Sequence, residues 1–291
     1  MLYELSSIEV RKEKAERRSL PVWEVAPVKA VKPTVIKIGE TRVDPSAMAE
    51  VLAHLGVSKQ YSDWFVSTRG ADAQALIEFA GRMCYESYQP HLNPNVTKIR
   101  EDPAAYYRNI LTKGDGSILE QGHVVFALLN ISRVCSHEIV RHRVGTSISQ
   151  ESLRYVRPRE VKFWIPDELS ENQKESMTRT VEQIEEAYRK MESSIPWESL
   201  SMDNKKRVTS ALRRILPDGI ATNMIWGANH RTLRWVIEMR TDPAAEVEIR
   251  MVFDQVARIC FRDYPLLYSD FVRTELPDGT GCWKPTLRSK V

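Results

Sequence analysis

Cysteine is scarce in this chain, and the four present, Cys84, Cys135, Cys260 and Cys282, lie far apart with no CxxC pair. That spacing argues against a zinc knuckle or a disulfide framework and fits a reducing, cytoplasmic setting. Long apolar runs are missing too. The most apolar stretch, 124–129, falls far short of the roughly 20 residues that a membrane-spanning helix needs. Residues 1–19 mix Glu, Lys and Arg where a signal peptide would place an apolar run before small residues, so no signal peptide is expected. Nor does one sign of charge prevail. Forty-two basic residues face 39 acidic ones, for a net +3, so total charge implies neither a polyanion partner nor a membrane surface. No internal repeat or low-complexity block is visible.

The chain has 291 residues, 42% of them hydrophobic, enough for one large domain with a sizeable core. Residues 9–33, rich in Lys, Arg and Pro, read as an extended arm. Helical spacing of Met48, Val51, Leu52 and Leu55 after Asp44-Pro45-Ser46 predicts a capped helix over 44–55. A second helix starts near Ala71 and ends before the polar segment 86–94, and a third spans 103–111. Residues 124–129 fit a buried strand or a helix start, since so short a run has no diagnostic period. Helix is expected over 131–143 with Gly145 ending it, and again over 173–191, 206–216, 231–240 and 244–262. Residues 161–165 read as a short strand, and the chain after Phe271 as mostly turn. The fold class is α+β with helices dominant and a small antiparallel sheet.

Chemistry concentrates in His137-Glu138-Ile139-Val140-Arg141-His142-Arg143 and the following Ser147–Tyr155 segment. On a helix, Glu138 lies one turn from Arg141 and His142, so a carboxylate and two donors share a face. Guanidinium forks suit phosphate and carbonyl oxygens, and the Ser and Gln residues offer hydroxyls to an anion. A solvated basic helix end would show much the same composition. Cys135, His137 and His142 match no common zinc spacing. Trp226 and Trp235 sit in apolar, helix-like surroundings and read as core, Cys84 as packing, and His123 and His230 as structural.

Residues 131–143, Ile-Ser-Arg-Val-Cys-Ser-His-Glu-Ile-Val-Arg-His-Arg, and 149–155, Ser-Gln-Glu-Ser-Leu-Arg-Tyr, closely resemble the signature of the flavin-dependent thymidylate synthases. The upstream Ser-x-Leu-Glu of that family is matched by Ser117-Ile118-Leu119-Glu120. Arg213, Leu216-Pro217, Asn229, Arg231, Arg240 and Glu248-Ile249-Arg250 follow in family order, and the resemblance covers roughly residues 75–271. It implies a homotetramer in which FAD, reduced by NADPH, delivers hydride while methylenetetrahydrofolate gives one carbon to C5 of dUMP, without a cysteine nucleophile. Arg141, His142, Arg143, Ser117, Glu120, Asn229 and Arg231 would then hold the flavin. Glu138, Gln150, Glu151, Ser152, Arg154, Arg213 and Arg240 would hold the nucleotide, with Arg240, Arg154 and Ser152 at the chemistry. Different subunits would complete each pocket, with nucleotide and folate as partners and no membrane. On this basis residues 1–70 read as an N-terminal extension of arm and helix, 71–275 as the catalytic domain and 276–291 as a tail.

A preorganised guanidinium such as Arg240 stabilises charge developing on a uracil carbonyl, and Arg154 and Arg213 suit a phosphate dianion. The redox step belongs to the flavin, and the protein supplies position and field. The chain departs from the family in an eight-residue spacer, 144–151, in place of seven, and in Asp115, Gln121 and Ala244 where histidine is usual. The longer spacer motivates a rival nucleotide, UMP, or a hydroxymethyl product. A non-catalytic nucleic-acid binder using the arm and the Arg-rich segment would instead show steeply salt-dependent binding and no bound flavin.

Overall fold

The computed structural model describes residues 29–67, 71–158 and 160–287. Most of the arm reading, 9–28, lies outside the described residues. In chain order come β1 (Lys29–Ala30), β2 (Thr34–Glu40), α1 (Pro45–His54), α2 (Lys59–Ser67), α3 (Asp72–Met83) and α4 (Pro103–Lys113). A 3-10 turn (Gly116–Gln121) leads into β3 (His123–Ser132), α5 (Arg133–Ile139), β4 (Thr146–Gln150) and β5 (Lys162–Phe163). Then follow α6 (Glu171–Ser193), α7 (Met202–Leu212), β6 (Ala221–Asn229), α8 (His230–Arg240), α9 (Val247–Asp263), α10 (Pro265–Tyr268), β7 (Phe271–Glu275) and β8 (Gly281–Pro285). The class is the expected one: helices around a small antiparallel sheet.

That sheet has the order β2-β3-β6-β4, every pair antiparallel. Its inner face follows from alternation, because Val124, Phe126 and Leu128 on β3 stand opposite Ala228, Trp226 and Met224 on β6, and all six are buried. α8 and α9 cover them with Leu233, Val236, Ile237, Ile249, Val252 and Phe253. Trp226 stacks on Phe126 and meets Phe253 edge-on. A smaller core lies between α6, α7 and β5, built on Val161, Phe163, Val181, Tyr188 and Leu212. Leu52, Val57, Phe65 and Tyr88 form a third under α1 and α2.

Helix starts follow side-chain capping. Asp44 accepts from the amides of Ser46 and Ala47, and Asp102 from those of Ala104 and Ala105, each followed by a first-turn proline. Gly114, at φ 80°, ends α4 in the left-handed conformation.

Several sequence expectations need correction. The helix expected over 131–143 is strand as far as Ser132, helix only for Arg133–Ile139, and turn beyond. Pairing with β6 claims the first part, and the last is tied to the start of α8. There the Asn229 amide donates to the Gly145 carbonyl and the Thr232 hydroxyl to the Val144 carbonyl. Trp226 stands on a strand rather than in helical surroundings, and the period-2 burial of Thr222, Met224, Trp226 and Ala228 marks it. The segment after Phe271 is a hairpin, not mostly turn. Trp283 on β8 is buried and donates its indole N–H to Asp254, so the tail assigned to 276–291 reaches the main core. β2, assigned to the N-terminal extension, is an edge strand of the central sheet. Helix 206–216 ends instead at Leu212, with a 3-10 turn over Arg213–Ile215, and Cys84 is exposed rather than packed.

His230 shows how tightly the core closes around polar groups. Its ring is fully buried beneath Gly122, where a Cβ would strike it, and Nδ1 bonds the Tyr268 hydroxyl at 2.9 Å. Burial, with His123, Arg234 and Lys37 adding to it, pushes the imidazole down to about 3. The unfolded chain, with a histidine near the ordinary 6.5, therefore takes up a proton that the folded chain refuses. Stability from this residue is complete above that value and is lost as pH falls toward 3, by at most about 1.4 kcal/mol per pH unit. His230→Gln is expected to remove this slope, leaving a flatter denaturation midpoint between pH 6.5 and 4.5 than in wild type; identical slopes would sink the account.

Gly145, at φ +70°, is the second tight point, since a Cβ there would collide with the Asn229 amide and the Thr232 hydroxyl. Gly145→Ala should cost about 1–3 kcal/mol in chemical denaturation, through backbone strain and the broken α8 cap. A midpoint equal to wild type would show that the loop relaxes freely.

Candidate active site

Three elements bring the expected residues to one point. α5 ends one residue after Glu138, the turn that follows presents His142, and α8 ends on Arg240. Arg240 donates from Nε to His142 Nε2 at 2.7 Å and from Nη1 to Glu138 Oε2 at 2.8 Å, with a longer contact of 3.4 Å from Nη2 to the Glu138 carbonyl. Arg240 and Glu138 are part-buried and His142 is buried. Burial, then the charges of Arg240 and Arg141, push the His142 imidazole down to about 4. It is therefore neutral near pH 7, and since Nε2 accepts from Arg240, Nδ1 carries the hydrogen. That Nδ1 is buried without a hydrogen-bond partner among the described residues. The ring edge is closed by Trp235, 5.1 Å between centroids.

His142 is held by its own backbone. The Thr146 hydroxyl donates to the His142 carbonyl at 2.7 Å, and the loop through Gly145 is bonded to Asn229 and Thr232. Arg141 and Arg143 flank it with exposed side chains. Asn229 caps α8, accepting from the Thr232 amide. Two residues along, Arg231 pairs with Glu120 at 2.5 Å, next to exposed Ser117 on the 3-10 turn. Of the residues that the family resemblance assigns to the flavin, Asn229, Arg231 and Glu120 stand at the start of α8, while His142 bonds Arg240 at the far end of that helix. Those assigned to the nucleotide begin at its end.

The nucleotide set is only partly assembled within one chain. Gln150, the last residue of β4, donates to the Ser136 hydroxyl on α5 at 3.0 Å. Glu151 is bonded through its amide to the Asn223 carbonyl, and its carboxylate accepts from the Asn223 side chain. Ser152 starts a turn, its hydroxyl accepting from the Arg154 amide. The Arg154 side chain is exposed over the Tyr155 ring, and Lys206 on α7 lies over the same ring. Arg213 is half-buried after α7. Neither Arg154 nor Arg213 bonds the Arg240 cluster among the described residues.

A cleft of about 460 Å³ adjoins Arg240, walled by Trp235, Met239, Ala244, Asp242 and Lys284. Reading Trp235 as core missed its role, because it is 38% exposed and forms one wall of the site. Ser136, which holds Gln150, was also missed; its place one turn from the N-cap of α5 was the available signal. Lys284 belongs to the hairpin, where mostly turn was expected. No group of His, Cys, Asp and Glu able to hold a metal occurs among the described residues.

A family model described as thymidylate synthase complementing protein matches residues 66–266. A protein named flavin-dependent thymidylate synthase from Corynebacterium aurimucosum is 32% identical over 252 residues, covering 84% of this chain and 96% of its own length. Proteins of the same name from Mycolicibacterium gilvum, 33% identical over 77% of this chain and 90% of the relative, and from Mycobacterium tuberculosis, 32% identical over 71% and 82%, are similar as well. The matched residues span every element of the Arg240 cluster and the loop that carries His142, and the chain belongs to the thymidylate synthase complementing protein family.

Proposed function

We propose that the protein is a flavin-dependent methyltransferase that converts dUMP to dTMP, taking one carbon from methylenetetrahydrofolate and reducing equivalents from NADPH. One observation carries this reading: a guanidinium, Arg240, is fixed by a carboxylate and a neutral imidazole drawn from three separate elements.

The residues present fit a flavin. The buried Nδ1–H of His142 needs an acceptor, and a flavin ring edge offers carbonyl and ring-nitrogen acceptors. Arg141 and Arg143 flank it for the phosphates, while Asn229, Arg231, Glu120 and Ser117 line the neighbouring edge. When bound, FAD supplies hydride chemistry that no side chain can perform.

For the nucleotide, Arg240 binds and polarises the uracil. Of the five N–H donors of a guanidinium, three are engaged by His142 and Glu138, leaving two for ring carbonyls. Charge that develops on a carbonyl during attack from C5 is then met by a donor needing no reorganisation. Glu138 fixes the guanidinium plane, and His142, being neutral, adds no competing cation beside it. Arg154 and Arg213 receive the phosphate, with Gln150, Glu151 and Ser152 fixing the nucleotide between. Neither guanidinium bonds the Arg240 cluster among the described residues, which fits a homotetramer in which neighbouring subunits complete each pocket. The catalytic unit runs over 71–275, with β2 and β8 completing its sheet and core. A cytoplasmic setting fits the four free cysteines; among the described residues no helix is long and apolar enough to cross a membrane.

The test is the mass of the nucleotide recovered after incubation with dUMP or UMP, FAD, NADPH and methylenetetrahydrofolate. A methyl gain on dUMP is expected. Gain on UMP, or a hydroxymethyl gain, would overturn the substrate or product and keep the chemistry. No gain, together with salt-sensitive binding to DNA or RNA, would overturn the enzyme reading. Arg240→Lys should lower turnover by roughly 10²–10³-fold, since an ammonium cannot bond Glu138, His142 and a carbonyl in one plane. Turnover within about threefold of wild type would remove Arg240 from the chemistry.

A further inference from the structure

Behind the cluster stands a carboxylate that neither the nucleotide nor the flavin set includes. Glu248, in the first turn of α9, is 1% exposed, and its two oxygens receive the amide and the hydroxyl of Ser132, the amide at 2.5 Å. Ser132 is itself buried at the junction where β3 becomes α5. Its hydroxyl oxygen accepts from the Cys135 amide at 2.9 Å and so caps that helix. Two residues of α5 depend on this cap: Ser136, which receives Gln150, and Glu138, which holds Arg240.

We propose that Glu248 is a positioning residue: by accepting both Ser132 donors it sets the orientation of α5, and so the places of Glu138 and Gln150 against the nucleotide. The inference rests on the nucleotide reading given above. The Arg133 and Val134 amides on the Ile220 and Asp218 carbonyls and the buried Cys135 and Ile139 hold α5 in place, and the Ser132 cap fixes the first turn of a helix only seven residues long, whose axial rotation decides whether Glu138 meets the guanidinium. A misplacement of about 1 Å at such a point can cost about 10²-fold in rate.

The hydrogen bonds have a direction. With Glu248 ionised, the Ser132 amide, the Ser132 hydroxyl and the Cys135 amide all find acceptors. Protonation turns one carboxyl oxygen into a donor and leaves the Ser132 hydroxyl hydrogen without this acceptor in a buried place. The charged groups facing Glu248 are Glu246, at the N-cap of α9, and Glu138 on α5; the Cys135 thiol faces it uncharged, its own ionisation resisted by burial. Arg240 reaches the cluster through Glu138. Burial pushes the Glu248 carboxyl up to about 7, with Glu246 and Glu138 adding to the rise and the two Ser132 bonds opposing it. Helix placement and neutral pH are thereby coupled.

The experiment is calorimetric binding of dUMP to the FAD-loaded enzyme at pH 6 and pH 8, for wild type, Glu248→Gln and Ser132→Ala. The ionised fraction of a carboxyl titrating near 7 changes about tenfold over that interval. Wild type should bind dUMP tighter at pH 8 by a ratio about fivefold or more above that of Glu248→Gln; titration of the phosphate is common to both and cancels. Glu248→Gln should bind weakly at both values, and Ser132→Ala should lose the pH ratio in the same way. A role confined to stability would lower the melting temperature and leave the ratio at the wild-type value, which would overturn the proposal. Should Glu248→Gln not fold, Ser132→Ala decides by the same criterion. Wild type that fails to bind dUMP overturns the functional reading and the inference together; wild type that binds, beside variants with its affinity and ratio, overturns the inference alone.

Discussion

Everything in the site leans on one guanidinium held between a carboxylate and an uncharged imidazole. Arg240 satisfies Glu138 by charge, but it bonds His142 only because that ring is neutral. Burial and the cations around it keep it so, and a proton on His142 would set two cations in contact in a half-dry place. The arrangement is self-consistent: Arg240 lowers the proton affinity of His142, and the neutral ring then accepts the Arg240 Nε–H. It also fixes the tautomer, so the remaining N–H of His142 is directed at whatever lies against the loop.

α8 is the element that makes this geometry possible, because both its ends are used. Its first turn holds the loop through Asn229 and Thr232 and pairs Arg231 with Glu120, while its last residue is Arg240. Between them Leu233, Val236 and Ile237 lie on the sheet with no exposure. About eleven residues of helix give a rigid spacer of roughly 16 Å between the two ends. The buried pair of Arg234 with Asp270, bonded twice at 2.7 Å, adds a restraint against rotation about the helix axis. Truncating either partner would strand a buried charge, so its value lies in orientation more than in net stability.

How much of this could be read from residues alone divides along a physical line. Asp44 with its proline, and the long amphipathic face of α6, depend on neighbours within a few positions, and they stand where spacing placed them. The Arg-His-Arg series and Arg240 were legible as a group, and the structure joins His142 and Arg240, 98 positions apart. What failed depended on distant partners. Residues 131–132 have helical neighbours in sequence but pair with 221–222 on β6, and pairing decided. Hairpin β7–β8 turns at Asp278-Gly279, yet its place is set by Trp283 reaching Asp254 on α9. Cys84 shows the reverse: an apolar local context did not bury it.

The division of labour between Glu138 and Glu248 follows from their surroundings, although both carboxylates serve the same short helix. Glu138 is part-exposed and faces a permanent cation, the Arg240 guanidinium, at 2.8 Å. Glu248 faces only neutral donors and two other carboxylates, and burial works against its charge. The first arrangement suits a residue that holds Arg240 steadily in one place. The second suits a residue behind the helix, where donors from Ser132 are strongest when the carboxyl is ionised. Exchanging the two environments would fail in both places: a carboxyl titrating near neutrality could not anchor a guanidinium steadily, and a fixed ion pair behind α5 would need a cation buried beside Cys135, at the cost of its desolvation.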